Sequence, residues 1–63
     1  MNANYIIVSD DGRVFAGWDQ LGTIVIKGIN DRYLAYRMSR TVAMRNLEKI
    51  ENFLGTHCSV CAC

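Results

Sequence analysis

The chain has 63 residues, 51% of them hydrophobic, with seven Lys and Arg against six Asp and Glu and no proline. That describes one small, near-neutral globular domain, without low-complexity tracts and not strongly basic. Ordering so short a chain costs on the order of 1.5 kcal/mol per residue, close to what one small core returns, so chains of this size often lean on a metal, disulfides or a partner.

In chain order, Met1-Asn2-Ala3-Asn4 lacks the charged start and apolar stretch of a signal peptide, and no later run has the length of a membrane span. The expected location is the cytoplasm. YIIVSDDGRVFAGW (residues 5–18) reads as a β-hairpin about Asp11-Gly12, a pair that tolerates the positive φ of a two-residue turn. That turn sets Val8 opposite Phe15 and Ile6 opposite Gly17 on one face. On the other, Ile7 meets Ala16 and Tyr5 meets Trp18. DQLG (residues 19–22) is a second turn, TIVIK (residues 23–27) a third strand rich in β-branched residues, and GIND (residues 28–31) a third turn. RYLAYRM (residues 32–38) alternates as a fourth strand, although a helix capped by Asp31 also fits. SRTVAMRNLEKIENFLG (residues 39–55) is an amphipathic helix. Ser39 is its N-cap, Ala43, Leu47, Ile50 and Leu54 form its apolar stripe, and Gly55 is its stop.

The architecture expected is α+β: a small antiparallel sheet of three to four strands, followed by one C-terminal helix packed on one face. Residues 1–55 make the compact domain, and residues 56–63 a flexible, cysteine-rich tail beyond the helix cap. The first hairpin is apolar on both faces, but one helix covers only one. Tyr5, Ile7, Val14 and Trp18 are therefore expected to form an exposed apolar patch, which marks a surface for a second copy or another protein.

Little in the chain looks like chemistry. Asp10 and Asp11 stand side by side where a turn wants them. No glycine-rich phosphate loop is present. His57 is the only histidine, too close in sequence to Cys58 for the two to form an oriented nucleophile pair. The expectation is no catalytic residue and no enzyme. HCSVCAC (residues 57–63) holds four ligand types that suit zinc, His57, Cys58, Cys61 and Cys63. Packed within seven residues they crowd a single ion, so no cofactor is expected and zinc is the minor alternative. The charge is uneven. Asp10, Asp11 and Asp19 outweigh Arg13 in residues 1–26, and Lys27, Arg32, Arg37, Arg40, Arg45 and Lys49 outweigh Asp31 and Glu48 in residues 27–49. With Tyr33 and Tyr36 interleaved, those arginines could contact phosphates and stack bases.

In size and pattern, a few strands and one helix without a catalytic constellation, the chain resembles the small accessory proteins encoded by bacteriophages and mobile elements, anti-CRISPR proteins among them. The resemblance implies a non-enzymatic inhibitor that occupies a surface of a host protein or nucleoprotein complex in the host cytoplasm, and it carries no residue over. The interaction residues expected from the sequence itself are Tyr5, Trp18, Tyr33, Tyr36, Arg37, Arg40 and Arg45, the types that dominate binding hot spots. A homodimer is expected as well. The alternatives are a nucleic-acid-binding regulator using the arginine–tyrosine face and a small zinc-binding domain.

Overall fold

A computed structural model describes residues 4–62. The elements are β1 (Tyr5–Ser9), β2 (Val14–Trp18), β3 (Ile24–Lys27), a 3-10 segment (Ile29–Leu34), α1 (Arg40–Leu54) and β4 (Cys58–Ala62). The four strands form one antiparallel sheet in the order β3-β2-β1-β4, and α1 packs on it across β1 and β4. This is the α+β architecture that the sequence indicates.

The first turn is one residue longer than expected. Gly12 N donates to Ser9 O at 3.0 Å, and Ser9 N donates to Arg13 O at 2.8 Å. The loop is therefore Asp10-Asp11-Gly12, with Gly12 in the left-handed region at φ 91°. The Ser9 hydroxyl secures it by accepting from Arg13 N at 2.9 Å. Val8 consequently pairs with Val14 rather than Phe15. A one-residue slip exchanges the faces of the whole strand. Phe15 joins Ile7 on the side of α1, and Val14 turns to the other side.

The second turn repeats the device. Asp19 N donates to Thr23 O at 2.9 Å and Gly22 N to Asp19 O at 3.0 Å. The Asp19 carboxylate accepts from Leu21 N and Thr23 N at 2.8 and 2.9 Å.

Within β2, Phe15 pairs with Ile26 but Trp18 pairs with Ile24. Ala16 and Gly17 thus share one partner position, as in a β-bulge. Gly17 sits at φ 95°. The extra residue turns Trp18 onto the face of Phe15.

Residues 32–38 are neither the expected strand nor a helix continuous with α1. After the 3-10 segment the chain runs extended into the gap where β1 and β2 diverge. Tyr36 N donates to Phe15 O on β2 at 2.9 Å, while Met38 exchanges both backbone bonds with Tyr5 on β1, each at 2.9 Å. The sheet position filled by residues 35–38 is too short to make a strand.

The expected tail is also corrected. Residues 58–62 are β4, paired with β1 along its whole length from Tyr5↔Ala62 to Ser9↔Cys58. Gly55 does end α1 in a left-handed cap, but the chain then turns back and completes the sheet. Cys58 is buried in the core with Ile7, Phe15, Met38, Ala43 and Ile50.

The expected exposed patch dissolves accordingly. Ile7 and Val14 are fully buried and Tyr5 is half-buried, so Trp18 alone of the four is exposed. Ile6 and Val14, on the face away from α1, are buried as well, and the 3-10 segment contacts β2 and β3. The Ile29 side chain there lies against Gly12.

Candidate functional site

The corner where β2 meets the inserted 35–38 segment is built around three rings. Phe15, fully buried, is the base. Trp18 stands edge-on to it with ring centres 5.1 Å apart, and Tyr36 does so at 5.8 Å. Trp18 and Tyr36 meet at 5.5 Å, again near perpendicular. Edge-to-face pairs of this kind contribute about 0.5–1.5 kcal/mol beyond burial, so the two outer rings are held in place. They remain accessible, Trp18 at 46% and Tyr36 at 42% exposure. Gly17 makes the corner possible, since the Tyr36 ring passes 3.3 Å from where a Cβ would stand.

A cleft of about 400 Å³ is lined by Ile6, Arg32, Tyr33, Ala35, Arg37 and Ala62. Its floor is apolar, and both guanidinium groups are without a carboxylate partner among the described residues, where Arg13 is the one arginine in an ion pair. Tyr33, 78% exposed, stands at its rim.

Of the seven interaction residues expected from sequence, the structure brings Trp18 and Tyr36 into contact and places Tyr33 and Arg37 on the cleft. Arg40 and Arg45 stand on the exposed side of α1, away from this group, and Tyr5 packs against the core. Leu21, Ile29 and Leu34 are exposed apolar side chains that sequence reasoning missed. For Ile29 and Leu34 the signal was the GIND-RYL stretch, which fits no single regular pattern and forms a surface 3-10 segment; Leu21 lies in the DQLG turn.

The cysteine stretch does not assemble a single site. On β4, Cys58 and Cys61 are three residues apart and so face opposite sides of the sheet. Cys58 points into the core, and Cys61 lies opposite Ile6 on the other face. His57 Nδ1 instead lies 3.1 Å from Glu51 Oε2, the atom that also accepts from Cys58 N at 3.0 Å. Cys63 lies outside the described residues. Burial pushes the Cys58 thiol above its ordinary range, and the carboxylates of Glu51, Asp10 and Asp11 add to the shift.

Asp11 serves the turn. Arg13 Nε donates to it at 2.8 Å, and the Ser9 hydroxyl donates to it as well. These bonds, that of Arg13 first, hold its carboxyl far below the usual carboxylate range. Among the described residues, no helix is long and apolar enough to cross a membrane, and no three His, Cys, Asp or Glu side chains converge as metal ligands. Comparison with family models, with curated proteins and with solved structures returned no match.

Proposed function

We propose that the protein is a non-enzymatic interaction module that docks on a larger protein or nucleoprotein complex through the Trp18–Tyr36 corner and the adjoining Tyr33–Arg37 segment. In this it would act as the small phage-encoded inhibitors do, by occupying a surface. One observation carries the reading. Of the eight large apolar side chains exposed among the described residues, six (Trp18, Leu21, Ile29, Tyr33, Leu34 and Tyr36) belong to residues 18–36. A rigid, partly exposed Trp–Tyr pair has the composition of a binding hot spot, and Arg37, next in sequence, has no carboxylate partner among the described residues.

Affinity capture from the source cell, with mass spectrometry of what is retained, tests it. The wild-type chain should retain a partner that Trp18→Ala and Arg37→Glu both lose while their circular dichroism stays native. Retention of the same partner by both variants would overturn the reading. A nucleic acid is the second reading, favoured by Arg32, Arg37 and Tyr33 around one cleft. Under it the retained species is an oligonucleotide whose binding falls steeply with salt.

A further inference from the structure

β4 forms one edge of the sheet, and its outer side carries unmatched backbone groups. Asp10 N donates to His57 O at 2.9 Å, so by alternation Ser59 and Cys61 bond towards β1, and Cys58, Val60 and Ala62 turn their N–H and C=O outward. The Cys58 N–H is taken by Glu51 Oε2. Val60 and Ala62 have no such partner among the described residues. Edge strands are ordinarily guarded by lysine, proline, a bulge or a covering segment. Cys58-Ser-Val-Cys-Ala62 has no lysine, no proline and an unbroken register.

α1 supplies an independent observation. Glu51 reaches the β4 edge, so the helical stripe through Glu51 faces it. Arg40, Met44 and Glu48 lie within about 60° of that stripe. Met44 is 48% exposed there, and Arg40 and Glu48 are exposed and in no ion pair among the described residues. α1 runs antiparallel to the strand that follows it. Counting from Glu51 beside Cys58, at about 1.5 Å per helical and about 3.3 Å per strand residue, Met44 comes level with Cys61.

We propose that two copies of the chain join edge to edge through β4, about a two-fold axis at Cys61, into one continuous sheet. Val60 of each copy exchanges backbone bonds with Ala62 of the other. Glu51 selects this register, because centring on Val60 would draw on the Cys58 N–H that Glu51 holds. At the axis the two Cys61 residues face each other at a non-hydrogen-bonded position, with Cα atoms about 4.5 Å apart, within the span of a disulfide. Across the sheet from them, on the α1 face, the two Met44 side chains meet. Arg40 of each copy falls level with Glu48 of the other, since both are four residues from Met44. With α1 over β1 and β4 and strands about 4.8 Å apart, the two helices stand about 10 Å apart, near the 8–10 Å of packed helices. The interface is self-complementary, as a two-fold requires, and it leaves the Trp18–Tyr36 corner of each copy free.

Sedimentation of the wild-type chain should give twice the 7.1 kDa chain mass; a single-chain mass at millimolar concentration overturns the proposal. Ala62→Pro removes an outward N–H without touching the ladder to β1, so it should halve the mass with native circular dichroism. Glu48→Arg should also dissociate the pair, and adding Arg40→Glu should restore it. A double variant as dissociated as the single, or an Ala62→Pro chain still paired, counts against the interface. In a Cys63→Ser background, copper(II)–phenanthroline should link the copies through Cys61, the two thiols giving up two protons and two electrons to the oxidant as the S–S bond forms. Peptide mapping that finds no Cys61–Cys61 link overturns the register.

Discussion

At the scale of single residues, small chemical differences fix the geometry of this chain. Gly17 combines a positive φ with a tyrosine ring 3.3 Å from its missing Cβ. Gly17→Ala should therefore cost about 1–2 kcal/mol for the left-handed backbone alone, and more as Tyr36 is pushed away. Urea unfolding followed by Trp18 fluorescence would measure both the loss and the altered corner. Cys58 and Cys61 share a residue type but differ in environment. Iodoacetamide should label Cys61 on the native chain and reach Cys58 only on unfolding, with peptide mapping as the readout. The Cys58 thiol keeps its proton in the folded chain above the pH at which an unfolded thiol ionises. Its contribution to stability is therefore full below the ordinary thiol range, near pH 8.5, and lost as pH rises through the raised folded value. Cys58→Ala should lower stability at neutral pH through its cavity and remove that alkaline decline, which urea titrations between neutral and alkaline pH would show.

At the scale of elements, β4 is the least expected and the most consequential. It supplies Cys58 to the core and pairs with every residue of β1. A chain ending at Gly55 would leave β1 as an open edge and uncover Ile7 and Ile50. Such a truncation should abolish cooperative unfolding, with loss of native circular dichroism at 25 °C. A truncated chain that melts like the full one would show β4 to be dispensable. The hairpins are held differently, each by one polar side chain, Ser9 or Asp19, across a three-residue loop. A two-residue and a three-residue loop both accept Asp-Gly at this place in a sequence. Only the pairing of Ser9 with Arg13 separates them.

At the scale of the whole molecule, the strand order sets β4 and β3 at opposite edges of the sheet. A second copy at β4 and a larger partner at the Trp18–Tyr36 corner can be bound together. Under the proposed function, Trp18→Ala should weaken partner binding by about 2 kcal/mol or more, roughly thirty-fold. Glu48→Arg, on α1, should leave the affinity of a single site unchanged. Titration calorimetry with the captured partner distinguishes the two effects.

The sequence by itself determined the α+β class, the three hairpin strands, and α1 with both its caps, because apolar periodicity and capping chemistry are local. It also offered Trp18 and Tyr36 as candidate interaction residues by type. Their meeting was decided only in three dimensions, by the bulge at Gly17 and the insertion of residues 35–38 between β1 and β2. The fate of the cysteine stretch was likewise tertiary. A strand that completes a sheet by pairing with residues some fifty positions away leaves no short-range signal, since its hydrogen bonds and its buried face are both supplied by β1 and α1.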